Sequence, residues 1–403
     1  MTSFDSSPQI SAWRALLALS VAFVMLATTG WTALHQNHPP SSPIAAARAA
    51  WGHGRLGGHR LPPVGSGPTR LARFFAALGA GQRATLAARY PLAVGNMNGA
   101  PVELRYRANR IALDQARKVE RRRMHDARLS PTGQHDAGRL MHRLESLLEP
   151  GRKILAFDPT GSGRIAEVLG DLDTARRISV VVPGVDTDLM SFKSARHPYA
   201  STEGMGTALY RAERSANPGA DTAVIAWADY TAPSGLGVEA ATAKRAQDGA
   251  VRLDALLDVL PGSSTVALYC HSYGSVLCGV AARYLPRRVT DIAVSGSPGM
   301  RASSVTGLGT GARVWAMRDE GDWVADVPNL EVGGLGHGAD PVSAGFGARL
   351  LSAAGAEGHG GYFVPGTESL RNFAEIGVGS YLSVRCSDGN NACRAGLPLT
   401  IAY

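Results

Sequence analysis

The sequence predicts an α/β fold: a mostly parallel central sheet with helices on both faces, preceded by a helical N-terminal extension. Three observations carry this. Short β-branched runs recur from Arg152 onward, turn residues bound each run, and helical patterns long enough for crossover connections separate them. Runs that are apolar throughout belong to strands buried on both faces, which is the condition of a parallel sheet. With 403 residues, 45% of them hydrophobic, the chain is long enough to bury a sizeable core in one large domain with extensions.

Taken in order, the first segment is apolar. No charged side chain occurs from Ala15 to Leu34, and ALLALSVAFVML (15–26) is almost wholly apolar. That length is near the minimum for a spanning helix and about twice a signal-peptide core. Residues 1–36 are therefore expected to be a signal peptide or membrane anchor, with membrane association through residues 15–34 and an extracytoplasmic, secreted or anchored location. HQNHPPSSP opens an expected solvated linker over 37–68. A helical region is expected over 69–150, from TRLARFFAALGAGQRATLAARY (69–90) to a basic helix containing ARKVERRRMHDAR (116–128).

The α/β domain is expected over 151–385. KILAFD, RISVVVPG, TAVIAWAD, STVALYC, TDIAVSG and ARVWAMRD read as strands. TALYRAER and AATAKRAQDGAVRLDALLDVL read as helices, and AGFGARLLSAAG (344–355) as helix-like. A tail follows over 386–403, where Cys386 and Cys393 bracket the turn-rich SDGNNA and suit a small disulfide loop. Cys270 and Cys278 read as buried small hydrophobes rather than a bridge.

The net charge of +8 raises nucleic acid as a partner. Between Glu103 and Arg128, however, nine Arg and Lys face four Asp and Glu, so this one segment supplies a net five of the eight charges. ARKVERRRMHDAR within it reads as a solvated basic helix without interleaved stacking aromatics, and no nucleic-acid partner is expected. The four cysteines lack doubled C-x-x-C spacing and the eleven histidines lack H-x-x-x-H, so no metal site is expected.

The chemistry centres on LYCHSYGS (268–275). In a G-x-S-x-G elbow the nucleophile sits at a sharp turn between strand and helix, with small residues two positions away on either side. Here Ser272 stands between Cys270 and Gly274, after the strand STVALYC and before the helical SVLCGVAARYL. Serine as a simple helix cap is the alternative. Ser297 in SGSPG also follows a strand, but Pro298 and Gly299 lead into a loop.

A serine nucleophile needs a base and an orienting acid, in the chain order Ser, Asp or Glu, His. Asp319, Asp322 and Asp326 follow the strand ARVWAMRD; Asp322 is the choice and Asp319 its rival. Of the later histidines, His359 in EGHGGYF is preferred to His337 in GLGHGAD, because a Tyr-Phe pair follows to anchor its loop. His271 is set aside, since the residue beside an elbow serine points away from it. For the oxyanion hole, VVVPGVDTD (180–188) offers the Val185 N–H beside that of Tyr273. Leu189 to Ala220 is a candidate lid or pocket wall.

With these residues in place, the chain resembles an actinobacterial family of α/β-hydrolases known mainly as a domain of unknown function, of the DUF1023 type. The resemblance runs from about Leu71 to Gly379. It rests on YPLAVGNMNGAPVELRYRANR, ILAFDPTGSGRIAEVLGDLDTA, VVVPGVDT, VIAWADYTAP, CHSYGS, EGDWV and GHGGYF with PGTESL. Family members usually carry glycine where this chain has Cys270. The resemblance implies an α/β-hydrolase fold and a nucleophile, acid and base on Ser272, Asp322 and His359. The expectation is a serine hydrolase, esterase- or lipase-like, that cleaves a small-molecule or lipid ester through an acyl-enzyme without a cofactor.

Two rivals are weighed against this. GSGRIA (161–166) imitates a dinucleotide-binding turn, but Asp-Pro-Thr separates it from the strand where that turn needs glycine at once. A membrane-tethered, non-catalytic binding protein on the same scaffold would need no triad, yet serine, acid, histidine and oxyanion loop all occur in order.

Overall fold

The computed structural model describes residues 42–389 and 391–397. The expected signal peptide or anchor over 1–36 lies outside the described residues. Among those described, no helix is long and apolar enough to cross a membrane.

Eight strands build the main sheet: β1 (Lys153–Asp158), β2 (Arg164–Gly170), β3 (Arg177–Val182), β4 (Thr222–Ala228), β5 (Thr265–His271), β6 (Val289–Ser295), β7 (Arg313–Met317) and β8 (Arg349–Leu350). Their spatial order is β1-β2-β4-β3-β5-β6-β7-β8. Neighbours from β4 to β8 are parallel, while β2 is antiparallel to β1 and β4. The exception follows from chain length. Only residues 159–163 join β1 to β2, with Gly161 and Gly163 at positive φ, and so short a connection forces a hairpin. GSGRIA is thus a hairpin turn running into a strand, and no helix opens there to receive a dinucleotide phosphate.

Among the described residues, ten helices of five residues or more flank this sheet or precede it: α1 (Pro43–Gly52), α2 (Pro68–Ala76), α3 (Ala80–Arg89), α4 (Pro91–Gly95), α5 (Val102–Arg123), α6 (Pro131–Leu147), α7 (Thr202–Ala216), α8 (Lys244–Leu257), α9 (Tyr273–Ala281) and α10 (Glu368–Val378); Val238–Ala241 is a single helical turn. The two-residue period of a strand sorts β3 between two cores. Val180 and Val182 pack with Leu253 of α8 and Val276 of α9, while Val181 packs with Leu209 of α7 and Phe373 of α10.

The N-terminal helices form a core of their own. Trp51, fully buried, meets Phe74, Phe75 and Tyr90 at ring separations of 5.6 to 6.3 Å. This corrects the expected linker over 37–68. Pro43 at the first helical turn and Ser42, whose Oγ accepts the Ala45 N–H at 3.3 Å, start α1, and burial of Trp51 rewards it by roughly 2–3 kcal/mol. The basic helix α5 is solvated on one face only. Its Ala112 and Leu113 pack with Ile154 and Phe157 of β1, and buried Asn109 donates to the Gly95 and Ile154 carbonyls at 3.0 Å. Several of its charges are paired locally, among them Arg117 and Lys118 with Asp114, and Arg123 with Glu120.

Three further expectations change. AGFGARLLSAAG is not helical: Gly347 and Gly355 adopt positive φ, and the segment supplies β8 instead. Fifteen of the 32 residues of the candidate lid form α7, the β3-to-β4 crossover, whose Met205 and Leu209 are buried in the core. Cys270 and Cys278 are bonded to each other, as are Cys386 and Cys393.

Candidate active site

The β5–α9 corner holds Ser272 at φ 56°, ψ −129°, a conformation costly for any residue with a Cβ. The surroundings determine it. The Ser272 N–H donates to the Ser295 carbonyl at 3.0 Å, and Ser275 N–H donates to the Ser272 carbonyl at 2.9 Å. A Cβ on Gly274 would lie 2.3 Å from the Val182 carbonyl oxygen, and one on Gly184 would lie 2.5 Å from the Ser272 Cβ. Glycine at both positions therefore lets the ends of β3, β5 and α9 converge. At the remaining small position Cys270 is tolerated because its side chain is half of the bridge to Cys278, in the core shared by β5 and α9. Sequence spacing did not reveal the bridge, since it depends on how sharply the chain folds back at Ser272.

Beyond β7, buried Asp322 caps the short turn Trp323–Asp326. Its Oδ1 accepts the Val324 N–H at 2.9 Å and His359 Nδ1–H at 2.8 Å; its Oδ2 accepts the Tyr362 hydroxyl at 2.5 Å. Burial pushes this carboxyl up, but the bonds from His359, Tyr362 and Val324 outweigh it and hold Asp322 below the usual aspartate range. With Nδ1 donating, the neutral imidazole presents Nε2 as an acceptor. That Nε2 is buried and has no protein partner. Gly296, at φ 54°, leaves room for the pair: a Cβ there would meet Asp322 Oδ2 at 2.8 Å and His359 Nδ1 at 3.0 Å.

The serine corner and the histidine loop meet through His271. Its Nε2–H donates to the His359 carbonyl at 2.7 Å, and the two rings lie 4.7 Å apart. Burial, then the neighbouring His359, push the His271 ring down to about 3, so it stays neutral. On the other side Trp323 lies 4.7 Å from the His359 ring. His271 and Trp323, neighbours of Ser272 and Asp322 in the chain, were not predicted as site residues, and Tyr362 was expected only as half of the Tyr-Phe pair that anchors the His359 loop.

On the oxyanion side, Tyr273 is the first residue of α9, so its N–H has no acceptor within the helix. Its side chain turns away, the hydroxyl donating to the Thr242 carbonyl at 2.7 Å. The Gly184 site lies against Tyr273 N, at 3.2 Å from a Cβ built there, and Val185 follows at once, half-buried. Buried Tyr230 fixes this loop by donating to the Pro183 and Gly184 carbonyls at 2.7 and 3.2 Å.

The rivals have other roles. Asp319 Oδ2 accepts the Gly321 and Gly358 N–H groups at 3.1 and 2.8 Å, tying the Asp322 turn to the His359 loop. Asp326 is exposed. His337 bonds to the Ala240 carbonyl through Nε2 at 2.7 Å, beside Tyr273 and apart from Asp322. Ser297 is 2.6 Å from Ser275 Oγ and braces the corner from below. No three His, Cys, Asp or Glu side chains among the described residues are grouped to hold a metal ion. Residues 196–200, with Gly355, Glu357, Gly360, Gly361 and Val364, border a cleft of about 540 Å³ on the His359 loop, which His359 itself does not line.

Residues 158–332 match a family model described as "Alpha/beta hydrolase". Two uncharacterized proteins of Mycobacterium tuberculosis, from strains CDC 1551 and H37Rv, are each 26% identical over 378 aligned residues, covering 79% of this chain. The chain spans only 57% of the length of these relatives. A crystal structure from Xanthomonas campestris, described as a member of the α/β serine hydrolases without a lid, is 15% identical; the match covers 58% of this chain and 96% of that one, with a TM-score of 0.34. Sheet order and family match together make this an α/β-hydrolase fold.

Proposed function

We propose that this chain, α/β-hydrolase in fold, is a serine hydrolase that cleaves an ester through an acyl-enzyme. The observation that carries the proposal is the buried Asp322–His359 pair, which leaves Nε2 an unpartnered acceptor at the edge where Ser272 is held at positive φ. The resemblance to the actinobacterial domain family supports the same assignment.

In this reading His359 Nε2 takes the Ser272 proton as Oγ bonds to the acyl carbon, and Asp322 stabilises the imidazolium. The Val185 and Tyr273 N–H groups receive the oxyanion. Collapse breaks the ester C–O bond, and His359 returns the proton to the leaving alcohol. Water, deprotonated by His359, then attacks the acyl-serine; its hydroxyl stays on the released acid and Ser272 regains the proton.

The test is turnover of a panel of p-nitrophenyl acyl esters by the wild type, Ser272→Ala and His359→Ala. Each variant is expected to lose on the order of 10⁴-fold or more in kcat with an unchanged circular-dichroism spectrum. Hydrolysis by Ser272→Ala at the wild-type rate would refute the proposal.

A further inference from the structure

Apolar surface is unevenly distributed on this molecule. Six of the ten exposed large hydrophobic side chains among the described residues, Leu236, Val238, Trp323, Leu330, Val332 and Leu335, lie in the segments that leave the carboxyl ends of β4 and β7. Both strands run parallel to β5 and end at the same sheet edge, where Ser272 begins α9. Val238 and Val332 are 75% and 69% exposed, and Leu236 66%. Scattered exposed hydrophobes are ordinary; a contiguous set beside a site marks a binding surface.

Five of the six are joined into one rim, and Trp323 lies apart from them beside the His359 ring. Val332 and Leu335 pair across the hairpin Glu331–Gly336, and Leu335 bridges to Thr242, just beyond the turn Val238–Ala241. His337 bonds to the Ala240 carbonyl, and the Thr242 carbonyl accepts the hydroxyl of Tyr273, the residue after Ser272. The charges among the exposed valines are paired, Glu239 with Arg245 at 2.6 Å and Glu331 with Arg301 at 2.5 Å. The exposed carboxylates Glu320 and Asp326 flank Trp323 and add negative charge, which repels an anionic lipid surface and suits a neutral one.

We infer that this rim docks the chain on a neutral lipid surface, so that its ester substrate is a long-chain lipid taken from an aggregate. The inference rests on the proposed hydrolase reading for the substrate, but the docking stands on the rim alone. Val238 and Val332 enter the hydrocarbon boundary while Ser272 faces the lipid from below, and acyl chains reach the site without crossing water.

The test attaches an environment-sensitive fluorophore to single cysteines introduced into the full chain by Val238→Cys, Val332→Cys or, as the off-rim control, Val119→Cys. The four native cysteines are bonded in pairs, and Val119 is 42% exposed on α5. Adding phosphatidylcholine vesicles is expected to raise emission several-fold, with a blue shift, at Val238 and Val332 but not at Val119. Because the readout is local, a lipid contact elsewhere in the chain does not imitate it. Aqueous spectra at both rim positions overturn the inference. So does a shift needing anionic lipid and lost in salt, which assigns an ionic contact, or one produced by raising protein concentration without vesicles, which assigns the face to a second copy. Fluorophosphonate labelling of the same samples separates the two claims: unlabelled protein with shifted rim probes refutes the hydrolase reading and leaves the docking intact.

Discussion

Replacing Tyr362 by phenylalanine removes one oxygen and tests how the acid of the proposed triad is held. Tyr362 is fully buried, so no water takes the place of its hydroxyl. That oxygen donates to Asp322 Oδ2 at 2.5 Å and accepts the Asp319 N–H at 3.0 Å, and both groups lose this partner in Tyr362→Phe. A hydrogen bond to a charged group contributes about 1.5–3 kcal/mol and a neutral one about 0.5–1.5, so the loss should be about 2–4 kcal/mol at pH 7. The pH dependence has a definite sign. The folded Asp322 carboxyl is held below its ordinary value, so its contribution is present above about pH 4 and fades as pH falls through the folded value. Urea unfolding at a series of pH values should therefore show the gap between wild type and variant widest near neutrality and narrowing in acid. Oδ1 keeps its bonds to His359 and Val324, so kcat/KM should fall only about tenfold, against roughly 10⁴-fold when the acid itself is made unable to orient the histidine. A destabilisation under about 0.5 kcal/mol, or one equal at pH 3 and pH 7, would refute the reasoning.

Three further outcomes are expected. Gly274→Ala forces a Cβ to within 2.3 Å of the Val182 carbonyl, so the helix start must shift and ester turnover should drop by two orders of magnitude or more, on the scale of a misplaced reacting group; near wild-type kcat would contradict the convergence described. His271→Gln should flatten part of the stability profile: a ring held at about 3 when folded and about 6.5 when unfolded costs stability as pH falls through that interval, by at most about 1.4 kcal/mol per unit, and the variant should lack this slope in urea titrations. The double variant Cys270→Ala, Cys278→Ala opens a loop whose ends are eight residues apart, and should lose about 2–3 kcal/mol by the chain-entropy estimate; an unchanged urea midpoint would mean the bridge adds nothing to the corner.

Much of the sheet was legible because its strands are continuous apolar runs, as in RISVVV and TVALYC, and such runs have few other uses. β2 was not, because Glu167 interrupts RIAEVLG; the structure tolerates that carboxylate by pairing it with the largely buried guanidinium of Arg152 from beside β1. β8 is two residues long and offers no periodicity to read. In the candidate site, Ser272 and Asp322 stood out because each follows a readable strand, and His359 because it is one of two histidines later in the chain and a Tyr-Phe pair follows it. The contacts that hold them were not legible: Tyr362 reaches Asp322 across 40 residues, and His271 reaches the His359 backbone across 88, so neither leaves a local pattern. The Cys270–Cys278 bridge was likewise hidden, because two cysteines eight apart meet only when a strand turns back as a helix.

The central claim is that Ser272 is an activated nucleophile, and intact-protein mass after fluorophosphonate treatment tests it most directly. The phosphonyl group replaces the Ser272 proton and fluoride leaves, which requires a base in register with Oγ. The account predicts one adduct on the wild type and none on Ser272→Ala. An adduct that persists in Ser272→Ala, or no adduct on a folded wild-type chain, would contradict it.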